Sequence, residues 1–459
     1  MSIISYDKLY SYQKRALEFI AKKKGKALIH IVPGGGKTLI SIHLVLKYPA
    51  LMPVLVCCPS SLKLQWKYEL DKYFPECKTV ILNGSPNING ISDLHDANFV
   101  IINYDILKKW QLELIKQHFN LVICDESHKV KNPSAERTKA LNVISDKIQH
   151  RLLLTGTPIT NNVGDLYNQL HLINPDTFNS YTKFLKRYTT PKTITIQRGL
   201  FKTKKQIPGD PCNVSELNNI ILNHFFRVSE KEVFENIAEM QNIVVPIEVS
   251  DLKDYRIAEK IFMNSKMNTR EERFNAEQNL AKARKELGIA KIDSAAEWIS
   301  EHLENSNQEK LVIFAYHRDV LESLAHKLGL DKSVIFYGGM TPTEKDDAVK
   351  RFINDKNIKF FLGNSLSAGT GVDGLNKVTS TAIMVETLYS HAEWEQAKGR
   401  VRRKNSTFDA YFCYNLIVPS TLDEKILKVL DRKAKETTEV LTGKQMSKDE
   451  LLSELIRKG

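Results

Sequence analysis

The chain alternates between two kinds of segment, and does so twice, which restricts its fold more than any other feature. In the first half, residues 27–32, 54–58, 79–82, 99–102, 121–124 and 152–154 are short aliphatic or β-branched runs, each ending in polar or Gly/Pro residues. Apolar residues on successive rather than alternate positions predict strands covered on both faces. Helix-patterned stretches lie between them, at 38–47, 62–73 and 136–144. Strand and helix in alternation predict α/β architecture with a parallel doubly wound sheet. Runs at 311–315, 334–337, 360–362, 381–385 and 410–417, with helices at 320–328 and 343–353, repeat the pattern. Open sheets of this kind bind ligands beyond the carboxyl ends of their strands, so the residues just after each run carry the most information.

Two lobes are expected, 1–240 and 241–459. Within the first, 160–240 holds few strand-like runs and reads as mainly helical elaboration. Within the second, 251–290 reads as a charged helical arm interrupted at Leu287-Gly288. Residues 421–459 read as two brace helices, opened by capping boxes at Thr421-Leu422-Asp423-Glu424 and Ser447-Lys448-Asp449-Glu450. A length of 459 residues is too great for one core. Every apolar run is too short to span a bilayer, and Met1 is not followed by a secretory signal pattern. The six cysteines form no C-x-x-C pair. Together these features predict a soluble, intracellular protein without zinc or disulfides. With 66 Lys+Arg against 54 Asp+Glu, the net charge of +12 permits a polyanionic partner without selecting one.

Chemistry enters at three places. Pro33-Gly34-Gly35-Gly36-Lys37-Thr38 follows the first run and opens a helix. Glycines let backbone N–H groups approach phosphates, the helix N-terminus adds positive potential, Lys37 reaches the β- and γ-phosphates, and Thr38 ligates Mg²⁺. The strict pattern asks for glycine at 31, where this chain has Ile31. Asp125-Glu126-Ser127-His128 ends the run at 121–124. Adjacent buried carboxylates repel, so a cation is expected there: Asp125 holds Mg²⁺ through water, and Glu126 orients and deprotonates the attacking water. Late in the chain, Gln396, Arg400 and Arg403 stand at i, i+4 and i+7, which predicts one helix face, with Arg402 pointing elsewhere and Gly399 marking a close backbone approach. Two arginines on one face suit the charge of a transferring phosphoryl group.

These motifs in this order resemble the superfamily two helicases, and within them the Swi/Snf-type DNA-dependent ATPases. Tyr10-Ser11-Tyr12-Gln13 is similar to the element that contacts adenine. Pro59-Ser60-Ser61-Leu62 with Gln65-Trp66 and Glu69, Ile102-Asn103-Tyr104-Asp105, Lys131-Asn132 after the acidic box, and Leu154-Thr155-Gly156-Thr157-Pro158 follow in family order. Val312-Ile313-Phe314, Tyr337-Gly338-Gly339, 369–375 and 396–403 match the second half. The resemblance implies two RecA-like lobes in tandem, with helical insertions between them, and ATP and Mg²⁺ as cofactors. It also implies Gln13 and Asp373 as nucleoside contacts. Ser60, Ser61, Lys63, Asn103 and Tyr104 in the first lobe and His317, Gly338 and Ser367 in the second become nucleic-acid contacts, with double-stranded DNA as the expected track. The segment 181–205 adds eight Lys/Arg and no acid, divided between a solvated face and a nucleic-acid surface as readings. Trp66 and Trp394 read as packing residues rather than base-stacking ones. Two rivals share the motifs: a strand-separating DNA or RNA helicase, and a nucleotide-gated binding subunit with little turnover.

Overall fold

In the computed structural model, residues 6–198, 201–265, 270–306, 308–365, 372–388, 391–404 and 406–442 are described. The first lobe is a seven-stranded, all-parallel sheet of order β3-β4-β2-β5-β6-β1-β9. Its strands are β1 (Lys26–His30), β2 (Val54–Cys58), β3 (Thr79–Ile81), β4 (Phe99–Asn103), β5 (Leu121–Asp125), β6 (His150–Thr155) and β9 (Phe225–Arg227). Strands β7 (Lys192–Arg198) and β8 (Phe201–Ile207) form a separate antiparallel pair. The second lobe is a six-stranded parallel sheet of order β10-β15-β14-β11-β13-β12. It is built from β10 (Met240–Pro246), β11 (Leu311–Ala315), β12 (Ser333–Phe336), β13 (Phe360–Asn364), β14 (Thr381–Met384) and β15 (Tyr411–Ile417).

The inner strands of each sheet are buried on both faces because they are apolar at nearly every position. In β1, Leu28 joins one core cluster while Ala27 and Ile29 join the other; in β11, Val312 and Phe314 face away from Leu311, Ile313 and Ala315. This period-two division places the inner strands of each sheet between two layers. Among the described residues, no helix is long and apolar enough to cross a membrane.

Three expectations change. The 160–240 stretch is not only helical: it contains the β7–β8 hairpin and β9, a three-residue strand that joins the main sheet beside β1. Strand β10 begins at Met240, so the second lobe's sheet starts one residue before the expected boundary. The helical arm does not stop at Leu287-Gly288, since the helix Arg270–Ala290 runs through it. A Cβ on Gly288 would lie 2.9 Å from Glu386 Oε1, so glycine serves a close approach there.

The helix Leu422–Thr442 begins in the second lobe, where Leu422, Ile426 and Leu430 join its core. It ends in the first, where Leu441 is buried and its carbonyl accepts from Asn218 Nδ2 at 3.0 Å and Arg227 Nη1 at 3.2 Å. Its start departs from the expected capping box. The Thr421 hydroxyl accepts from Asp423 N–H, and Glu424 accepts from Ser420 N–H. The second box, at Ser447, lies outside the described residues. Asp423 instead joins a fully buried pair: Lys291 Nζ donates to its carboxylate at 2.8 Å and to the carbonyls of Val385 and Leu416. Lys291→Met would leave Asp423 buried without its cation, and such losses cost about 3–5 kcal/mol. Urea unfolding monitored in the second lobe should show a loss of that order.

Candidate active site

The first wall of the interlobe cleft is the turn after β1. Gly34 and Gly36 adopt φ of +82° and +79°, the left-handed region that glycine enters freely. A Cβ on Gly36 would collide with Gln13 Nε2. The turn feeds the helix Lys37–Lys47. Lys37 is buried, and its Nζ donates to the Ile31 carbonyl at 3.0 Å, which stations the ammonium inside the turn. Tyr12 Oη donates to the Gly35 carbonyl at 3.0 Å, and Gln13 Nε2 approaches it at 3.5 Å. Gln13 Oε1 accepts from Tyr10 N–H at 3.0 Å. At 2% exposure, Gln13 braces the loop from behind and contributes nothing to the cleft surface.

The second wall is the end of β5. Asp125 Oδ1 accepts from Glu126 N–H at 3.0 Å and Oδ2 from Trp66 Nε1–H at 2.8 Å. Glu126 sits in the left-handed region at φ +51°, a conformation that costs a non-glycine residue energy and recurs at functional sites. Its Oε2 lies 3.3 Å from His128 Nδ1, which is itself 3.1 Å from Thr155 Oγ1. Thr155 Oγ1 also accepts from Thr157 N–H at 3.0 Å, so the acidic box is tied to the Thr155-Gly156-Thr157 loop. Burial and the Glu126 charge push the Asp125 carboxyl up to about 6. Burial acts on Glu126 in the same sense but is outweighed by His128, Lys37 and Lys129, which bring it down to about 2. The environments therefore separate the two carboxylates: Glu126 is held ionised, and Asp125 carries a charge that a cation would relieve.

The third wall comes from the second lobe. The helix His391–Lys398 ends before the arginines, so Gln396, Arg400 and Arg403 do not share one helix face. A Cβ on Gly399 would lie 2.9 Å from Pro33 Cβ, so the close approach that the glycine marks is to the glycine turn after β1 in the first lobe. Beyond it, both arginines are anchored on one carbonyl. Arg400 Nη1 donates to Val372 O at 2.5 Å, and Arg403 Nη2 donates to it at 3.0 Å. Arg403 also pairs with Asp373 at 2.8 Å and lies against Gly34. Arg402 turns away to the Ala238 carbonyl and Glu230. Gln396 is buried and does not line the cleft.

The walls enclose a cavity of about 340 Å³ lined by Gly34, Gly36, Lys37, Thr38, Asp125 and Glu126 from one lobe and Arg400 and Arg403 from the other. Gly35 is not on that surface, and Asp373 is engaged by Arg403 and by Gly374 N–H. The helix Lys63–Tyr73 supplies a side wall of Gln65, Trp66, Glu69 and Tyr73. Sequence reasoning missed that wall. Its signal was the i, i+3, i+7 spacing of Trp66, Glu69 and Tyr73, which puts them on one helix face.

The expected nucleic-acid contacts divide. Ser60, Ser61 and Gly338 are exposed. Lys63 is buried, donating to the Leu82 carbonyl and Asn83 Oδ1, because its short reach into the sheet edge satisfies two acceptors. Asn103 is buried at the end of β4, and Tyr104 is buried with its hydroxyl donating to the Asp125 carbonyl at 2.7 Å. These three are internal supports rather than surface contacts. His317 is largely covered, with Nδ1 2.6 Å from Glu386 Oε1. Ser367 lies outside the described residues. Trp394 packs beneath Lys398, whose Nζ is 4.3 Å from its ring centre.

With the geometry in view, comparison with known proteins gives a consistent set. The SNF2-related domain model matches residues 12–304, and the helicase conserved C-terminal domain model matches residues 291–405. The human DNA annealing helicase and endonuclease ZRANB3 is 25% identical over 95% of this chain and 41% of its own length. A Caenorhabditis elegans homologue of the SWI/SNF-related matrix-associated actin-dependent regulator of chromatin subfamily A-like protein 1 is 26% identical, over 93% of this chain and 61% of its own. The chain thus spans less than two thirds of either relative. Among solved structures, the Sulfolobus solfataricus SWI2/SNF2 ATPase core in complex with dsDNA is 23% identical, covers 95% of this chain and 93% of its own, and superposes with a TM-score of 0.45.

Proposed function

The chain belongs to the SNF2-related ATPase family, and on that premise we propose that it is an ATP-dependent translocase on double-stranded DNA, remodelling protein–DNA complexes or branched DNA. One observation carries the reading: the phosphate loop and carboxylates stand on one lobe and the arginines on the other, so neither lobe alone holds a complete hydrolytic site. Hydrolysis then depends on how the lobes are aligned, and a polymer lying across both would set that alignment.

The donor set suits a hard cation. Thr38 and Asp125 both line the cleft with oxygen atoms and would hold Mg²⁺, which would supply charge neutralisation for the bound phosphates. The N–H groups around Gly34 and Gly36 bind phosphate oxygens, and Lys37 lies within the same turn. Glu126 orients the attacking water and accepts its proton. Arg400 and Arg403 stabilise the charge of the transferring group, and Gly399 lets them come near.

Support for DNA comes from the relatives, one of which bears the name of a DNA annealing helicase, and from the +12 charge. Ser60, Ser61 and Gly338 are the surface candidates for phosphate contact, which suits movement along any sequence. Strand separation is the second reading, favoured by the β7–β8 hairpin, which forms its own two-stranded sheet and overlaps the basic segment 181–205.

The test is ATPase rate with single-stranded, duplex and forked DNA and with RNA. Duplex DNA should stimulate most; stimulation only by single strands or RNA would overturn the reading in favour of a helicase. The duplex concentration for half-maximal rate should rise at least about tenfold between about 50 and about 200 mM salt, because phosphate binding releases counterions.

A further inference from the structure

We propose that Trp66 is a positioning residue for the metal-binding carboxylate, its indole N–H fixing the plane of Asp125 so that the free lone pairs of both oxygens face the nucleotide cleft. The inference rests on the ATP–Mg²⁺ reading of that cleft.

Trp66 is among the largest fully buried side chains of the protein, at 1% exposure. A buried indole N–H needs an acceptor, but any backbone carbonyl would satisfy it. Here the acceptor is Asp125 Oδ2, at 2.8 Å. The other oxygen, Oδ1, accepts from Glu126 N–H at 3.0 Å. A carboxylate has about four lone-pair sites, so one donor on each oxygen leaves one on each for a cation. With both oxygens held, the carboxylate cannot spin about its Cβ–Cγ bond. The main chain is held as well, since Tyr104 Oη donates to the Asp125 carbonyl at 2.7 Å.

The two aromatic donors come from different parts of the lobe. Trp66 stands one turn into the helix Lys63–Tyr73, just after exposed Ser60 and Ser61, and Tyr104 directly follows β4. Glu126, one residue on, lies on the same peptide that donates to Oδ1, so a rotated Asp125 would also disturb the water-orienting carboxylate. A residue that only filled space could be replaced by Phe with little effect on the metal. A residue that orients a ligand could not, because partners behind a metal ligand are typically worth about 10–100-fold in metal affinity or activity.

The experiment uses Mn²⁺ as a spectroscopic probe for the metal. Its nucleotide-dependent binding is followed by electron paramagnetic resonance, and ATP binding without metal is measured separately on the same protein. Trp66→Phe should raise the Mn²⁺ concentration for half-saturation about tenfold while leaving metal-free ATP affinity within about twofold. In an Asp125→Asn background the same substitution should add no further change to Mn²⁺ binding. An unchanged Mn²⁺ titration in Trp66→Phe, or equal and independent effects in the two backgrounds, would overturn the proposal. Absence of nucleotide-dependent Mn²⁺ binding by the unmodified protein would instead overturn the ATP–Mg²⁺ reading itself.

A second measurement does not depend on Trp66→Phe protein. In ¹⁵N-tryptophan-labelled protein, one of the four indole N–H resonances should move on adding Mg²⁺ and ATP and should lose its downfield position in Asp125→Asn. If no indole resonance responds to both changes, Trp66 does not act through Asp125.

Discussion

Glu126→Gln protein is expected to bind ATP nearly as well as the unmodified chain and to hydrolyse it about 10²–10⁴-fold more slowly, the range over which a positioned acid–base group acts. The substitution keeps the side chain's size and removes only its charge and basicity. Glu126 is not part of the phosphate loop, so binding should survive. What disappears is the acceptor held ionised by His128, Lys37 and Lys129 against the upward push of burial. The left-handed backbone at 126 is unaffected, since glutamine carries the same strain. Nucleotide titration beside a single-turnover assay separates the two effects. Hydrolysis at the unmodified rate would remove Glu126 from the mechanism.

The larger effect is expected from the second lobe. Arg400→Ala should lower DNA-stimulated turnover about 10³–10⁵-fold, as loss of an arginine contact to the transferring phosphoryl group does elsewhere. Nucleotide should still bind, because the phosphate loop and Lys37 belong to the other lobe. Arg400 is half-buried with Arg403 beside it, and desolvation and the neighbouring charge both press its guanidinium below the usual arginine range. An anion arriving between the two would relieve that pressure, so the pair would favour charge developing on a transferring γ-phosphate. Arg400→Lys should rescue little, since a lysine cannot reproduce the planar fork that now reaches Val372 O. Comparable turnover in Arg400→Ala and the unmodified protein, with duplex DNA at saturation, would show that the second lobe does not complete the site.

Much of this was legible in the sequence, for a physical reason. Strands buried on both faces must be apolar at every position, so β1, β2, β5 and β11 announce themselves, and the residues at their carboxyl ends mark the crevice. Strands β9 and β10 gave no such signal. One is three residues long, and the other pairs only with β15 at the sheet edge, with polar Gln241 and Asn242 among its exposed positions. The site was legible where backbone demands and chemistry coincide, as at Gly34, Gly36 and Lys37. It was hidden where a side chain's role depends on which way it turns. Lys63 and Tyr104 sit in motifs that resemble track contacts, yet point inward to Leu82 and Asp125. Trp66 was readable as buried, but its hydrogen-bond partner is fifty-nine residues away in sequence, and no spacing rule reaches that far.

The helix Leu422–Thr442 has a mechanical consequence. At about 1.5 Å per residue, its twenty-one residues make a rod of about 30 Å, seated at one end among Leu422, Ile426 and Leu430 and at the other on Leu441. Two bodies pinned to opposite ends of a stiff rod are hindered from drifting apart, but they can still swivel. Any relative movement of the lobes would then carry the arginines past the phosphate loop along an arc rather than a straight line, and a small turn at the pivot would become a larger sweep at any surface farther from it.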